Sequence, residues 1–136
     1  MTKSDTPNFQ RGEIWLVNFD NVSPTPSDSA TTVGDEINKP RPAVVMNITY
    51  QWNLKLRIVV PLTTWRKNFE DKNYFWIVKI PKDAINTLKI DSGANTFQVK
   101  SVSIDRFEHK IGRLHDAQID LIADTIAFCI GYTPKR

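Results

Sequence analysis

Lys39-Pro40-Arg41-Pro42-Ala43-Val44-Val45-Met46-Asn47 sets a basic residue between two prolines at the mouth of an apolar strand. Each proline fixes its own φ and pushes the residue before it toward extended geometry. Arg41, which precedes Pro42, is biased out of helix, and the run from Ala43 to Met46 reads as a buried strand. A guanidinium pinned at the start of a strand is well placed to meet a phosphate with paired N–H donors. The same residues also read as an ordinary polar lead-in to a strand, and this stretch alone does not choose between the two.

Working outward, the chain of 136 residues fits one domain large enough to bury a core without disulfides or metal. Lys and Arg outnumber Asp and Glu by 18 to 15, a net charge of +3 that permits an acidic partner without demanding one. The single cysteine, Cys129, excludes a disulfide framework, favours a cytoplasmic location and reads as a small core residue. The opening residues lack the apolar segment of a signal peptide, and no apolar run is long enough to cross a membrane.

Residues 1–10 read as a flexible arm and residues 11–136 as one barrel domain. Strands are expected over Glu13 to Phe19, Arg41 to Ile48, Lys55 to Leu62, Tyr74 to Ile80, Asn95 to Val102 and Lys110 to Leu114. Pro61 marks an edge or a bulge. Residues 21–38, rich in Ser, Thr, Pro and Asp, form a long loop that reads as a functional lid or a tolerated insertion. Residues 82–91 hold at most one helical turn, and residues 103–107 a short helix. Ile119, Ile122, Ile126 and Ile130 recur at helical spacing after a cap at His115 or Asp116, and Gly131 stops the helix. Many short strands closed by one helix predict a mainly β protein with α, a small curled sheet or barrel with the helix packed on it.

There is no Walker loop, no dinucleotide fingerprint and no CxxC pair. His109 and His115 have no metal-ligand spacing; the first reads as a solvated face and the second as a helix start. What remains is Arg41, the loop from Thr63 to Lys67, and the acidic pair Asp35-Glu36. A barrel that sets the ends of its second and third strands side by side would bring Arg41 near Thr63. A guanidinium and a hydroxyl converging there suit a phosphate with an adjacent hydroxyl. Trp65, Arg66 and Lys67 would add a stacking face and charge for a single strand.

Five segments in order resemble the MazF/PemK family of bacterial toxins. They are Gly12-Glu13-Ile14-Trp15-Leu16-Val17, Arg41-Pro42-Ala43-Val44-Val45, Val60-Pro61-Leu62-Thr63-Thr64, Gln98-Val99-Lys100-Ser101 and Ile111-Gly112-Arg113-Leu114. The resemblance implies an SH3-like β-barrel of the CcdB/PemK type with a C-terminal amphipathic helix, usually a homodimer. It implies a sequence-specific, metal-independent endoribonuclease of a type II toxin–antitoxin pair, acting on single-stranded RNA and held in check by a cognate antitoxin, with which it binds DNA. No cofactor and no metal site are implied. The family's arginine and first threonine carry over to Arg41 and Thr63 as catalytic residues, and Glu36 stands where some members place a glutamate of the site. Lys39, Thr64, Trp65, Arg66, Asn95 and Gln98 are the RNA-binding candidates. One departure matters: many members carry Asp where this chain has Phe97. A catalytically silent RNA- or antitoxin-binding relative and a CcdB-like gyrase poison are the alternatives.

Overall fold

The computed structural model describes residues 9–20, 39–48 and 53–133. The long loop with Glu36, and the turn residues Tyr50 and Trp52, lie outside the described residues. Among the described residues there are seven strands and two helices: β1 (Glu13–Asn18), β2 (Pro40–Val45), β3 (Leu56–Thr64), α1 (Lys67–Asp71), β4 (Ile77–Ile80), β5 (Ser92–Asn95), β6 (Lys100–Ser103), β7 (Phe107–Arg113) and α2 (Asp116–Cys129). All pairs are antiparallel. The strand path runs β4-β5-β3-β2-β1-β7, with β6 also on β3.

The expected barrel is not closed, because β4 and β7 do not pair. Pro81 follows the four-residue β4 and offers no N–H to extend a ladder. A strap of residues 81–91 bridges the gap instead. The Arg113 N–H donates to Ile85 O at 3.3 Å, and the Thr87 hydroxyl donates to Ile111 O.

Period-two alternation sorts the core onto both faces of the sheet. Ile14, Val44, Val60 and Leu62 form one face, covered by Ile119 and Ile122 of α2. Trp15, Val17, Ala43, Val45 and Val59 form the other, packed with Phe9, Phe19 and Val102. A sheet buried on both faces explains why these strands read as nearly continuous apolar runs. Phe9, read as part of the arm, is buried against Trp15 and Phe107, with ring centroids 4.7 Å and 4.4 Å away.

Several expectations shift. Pro61 is fully buried in the middle of β3 rather than at an edge. β3 pairs with β6 up to Val59 and with β5 from Leu62, so the proline falls where that side of the strand changes partner. The fourth strand starts at Ile77, because Tyr74 to Trp76 form an aromatic turn after α1, a helix the sequence reading did not anticipate. The strand expected over 95–102 is interrupted by a 3₁₀ turn at Thr96–Gln98. Ile130 closes the isoleucine pattern but is 77% exposed, since the helix ends at Cys129 and Gly131 turns away at φ 85°.

Candidate active site

β2 and β3 pair in the register Ala43↔Pro61, Val44↔Val60, Val45↔Val59. Continued two residues past its last pair, that register aligns Arg41 with Thr63. Both residues line one cleft of about 720 Å³, together with Lys39, Thr64 and Pro42. The far wall comes from Thr87 to Ile90 of the strap and from His109 to Ile111 of β7. Lys39, Arg41, Lys89, His109 and Lys110 are on the lining, and no acidic residue among the described ones is. The Lys and Arg side chains around a partly apolar pocket favour an anion.

The backbone leading into Arg41 is unusual. Lys39 has φ 68°, although it precedes Pro40 and was expected to be extended. Asp20 at the end of β1 holds this turn, its Oδ1 accepting the Lys39 N–H at 2.7 Å. The Arg106 guanidinium braces the same corner, donating to Asn18 O at 2.9 Å and Asp20 O at 2.7 Å. A non-glycine residue in the left-handed region costs about 1–3 kcal/mol and persists only where its surroundings enforce it. Here the enforced turn sets the start of β2, and with it the Arg41 backbone.

The other candidates fall elsewhere. Trp65 does not line the cleft but lies beside it on the β5 side: its ring packs over Gly93, the residue across from Thr63, with the Lys79 ammonium 5.4 Å from its centre. Arg66 is exposed at the N-terminus of α1. Asn95 ends β5 across from Ile77, and its Oδ1 is buried with no hydrogen-bond partner. Gln98 ends the 3₁₀ turn and is half-buried. Phe97, beside it, is 63% exposed and not on the cleft lining. Glu36 lies outside the described residues.

Sequence reasoning missed Lys89 and Lys110, and it read His109 as a solvated face. Residues 87–90 and 109–111 belong to segments far from Arg41 in the chain, and only the strap's closure against β7 brings them to the cleft. Lys110 is partly engaged, with Nζ 3.1 Å from Glu13 Oε2. Among the described residues no three His, Cys, Asp or Glu side chains cluster as metal ligands, and no helix is long and apolar enough to cross a membrane.

The sequence profile of the PemK-like, MazF-like toxin of type II toxin–antitoxin systems matches residues 10–130, which takes in every strand and α2. The chain belongs to the PemK/MazF toxin family. Toxins of this family are known as endoribonucleases. Among solved structures, the chain is similar to the Mycobacterium tuberculosis toxin MazF-mt6, at 17% identity and TM-score 0.60 over 90% of this chain and 99% of that one. It is similar to MazF from Deinococcus radiodurans at 18% identity and TM-score 0.66, over 90% and 96% of the two chains. A mycobacterial endoribonuclease solved in complex with its cognate antitoxin matches at 12% identity and TM-score 0.62, over 97% and 100%. No curated protein matches significantly. At these identities the structural neighbours establish the shared fold, mainly antiparallel β with a C-terminal helix.

Proposed function

We propose that the chain is a metal-independent endoribonuclease that cuts single-stranded RNA at a short motif, as the toxin of a type II pair. The observation that carries this reading is the shared cleft: Arg41 and Thr63, from different strands, both line it, with no acidic residue among the described lining to repel a phosphate. In the proposed reaction the ribose 2′-oxygen bonds to the adjacent phosphorus and gives its proton to a base. The bond from phosphorus to the 5′-oxygen breaks, and that oxygen takes up a proton. The products are a 2′,3′-cyclic phosphate and a 5′-hydroxyl. The nucleophile belongs to the substrate, so the protein's task is charge stabilisation and proton transfer. Arg41 neutralises charge building on the phosphoryl oxygens, and Thr63 holds the phosphate or relays a proton. A guanidinium has no free lone pair to take a proton, so Glu36 is assigned the role of base.

Lys39 and Thr64 extend the contact surface along the cleft. Trp65, Arg66, Asn95 and Gln98 are assigned to contacts with unstacked bases beside the cleft. The partners are single-stranded RNA in the cytoplasm, a cognate antitoxin that covers the cationic cleft, and a second copy of the chain.

A silent binder is the second reading, favoured by Phe97 where many members carry Asp. Phe97 does not line the cleft, so the substitution takes no charged group away from Arg41. Cleavage of mixed-sequence single-stranded RNA in excess EDTA separates the two. The nuclease reading expects 5′-hydroxyl ends at one motif, with rates lower by about 100-fold or more in Arg41→Ala and Thr63→Ala. RNA bound but uncut by the wild type would support the silent binder.

A further inference from the structure

We infer that the part of the cleft between the strap and β7 is a second nucleotide subsite, which holds a base and phosphate of single-stranded RNA flanking the cut. This rests on the RNA reading above and adds residues that the family motifs do not include. The cleft's volume of about 720 Å³ exceeds what one phosphodiester at Arg41 and Thr63 requires and lies in the range of sites that enclose a whole small molecule. Its composition is divided. Leu16 and Ile90 give an apolar surface, and His109 supplies the one aromatic ring on the described lining. Lys89 sits beside Ile90 and makes no ion pair among the described residues, whereas Lys110 is drawn to Glu13. A base placed on the apolar surface against the imidazole would present its phosphate to Lys89.

The wall is built in advance of any ligand. Asn86 is fully buried and anchors the strap: Oδ1 accepts the Asp83 and Leu88 N–H groups at 3.0 Å and 2.9 Å, and Nδ2 donates to Pro81 O at 2.9 Å. Thr87 adopts φ 51° and bonds Ile111 O across the gap to β7. Asp83 and His115 tie the strap to the start of α2, with Oδ2 and Nε2 3.1 Å apart. A wall held by this many bonds loses little freedom when a ligand enters, which favours a binding site over a passive surface groove. Continuity with Arg41 and Thr63 favours a flanking nucleotide over an acidic peptide as the occupant.

The test is binding of a short, mixed-sequence, fully 2′-O-methylated RNA, which has no 2′-hydroxyl to attack, followed by anisotropy across a salt series. Lys89→Gln is expected to weaken binding about fivefold and to lower the slope of log Kd against log salt by about 0.7, one phosphate contact on a single strand. Ile90→Ser and His109→Ala are expected to weaken binding with the slope unchanged, as loss of stacking requires. All three positions are surface residues, and a thermal melt of each variant is the check that it folds. Affinities within twofold of wild type for all three would overturn the subsite. So would weaker binding of polyglutamate with RNA binding intact, which would give the cleft to an acidic peptide. The readout needs no cleavage, so a wild type that fails to cut RNA sinks the nuclease reading and leaves this measurement standing.

Discussion

Glu13 shows how one carboxylate ties the family's opening strand to the edge of the cleft. The residue is 7% exposed, yet its carboxylate stays charged because three donors surround it. The Trp15 indole donates at 2.9 Å, the Gln10 N–H at 3.1 Å, and the Lys110 ammonium lies at 3.1 Å. Burial alone would raise the carboxyl pKa and is the largest single influence, but the Trp15, Gln10 and Lys110 contacts together outweigh it and hold the group below the ordinary 4.5. A depressed folded pKa contributes stability that is complete above the unfolded value and is lost as pH falls through the folded one. The melting temperature of the wild type should fall as pH drops below about 4.5, and Glu13→Gln should flatten that limb while melting lower at neutral pH. An identical acid limb in the variant would place the acid sensitivity elsewhere. The motif made the position of Glu13 legible; its partner Lys110 was not, because cross-strand pairing of β1 with β7 joins residues far apart in the chain.

At the scale of elements, the strap depends on one glycine. Gly112 sits in β7 where a Cβ would fall 2.7 Å from the Asn86 carbonyl carbon and 2.8 Å from Ile85 O, both backbone atoms. Backbone does not yield as a flexible side chain does, so Gly112→Ala must push the strap off β7. The expected cost is about 1–3 kcal/mol, read as a lower melting temperature, with RNA binding weakened as residues 87–90 shift. Unchanged melting and binding would mean that the strap is not held as described. The resemblance matched Gly112 but gave no reason for it; the reason is a contact between segments that share no pattern. The strands β1, β2 and β3 were legible because each is apolar on both faces, and α2 because Ile119, Ile122 and Ile126 keep one helical stripe. The strap and α1 were not, since polar residues with proline and asparagine carry no period, and their shape is set by side-chain-to-backbone bonds such as those of Asn86. In the site, Arg41 and Thr63 were legible through their motifs, while the cleft's far wall was hidden for the same reason as the strap.

At the scale of the whole molecule, α2 covers only part of what the fold leaves apolar. Phe75, Phe97 and Phe128 are 45%, 63% and 60% exposed. They form one aromatic surface, with Phe75 and Phe128 rings 5.2 Å apart and Trp76 joining Phe75 to Phe97. Leu54, Leu56 and Ile58 form a second exposed row leading into and along β3, at 53%, 45% and 45%. Contiguous apolar surface of this kind marks an association face more often than open solvent, and the aromatic surface is the stronger candidate for the proposed dimer, because rings supply most of the energy in such contacts. Phe128→Ser is expected to raise the dimer dissociation constant by about tenfold or more in sedimentation equilibrium, and Leu56→Ser to leave it nearly unchanged. Both positions are exposed, so neither substitution opens a cavity, and a change in assembly is separable from a loss of folding. The reverse pattern would move the interface to β3, closer to β6 than to α2. A wild type that stays monomeric at all concentrations would require the cleft of a single chain to do the chemistry.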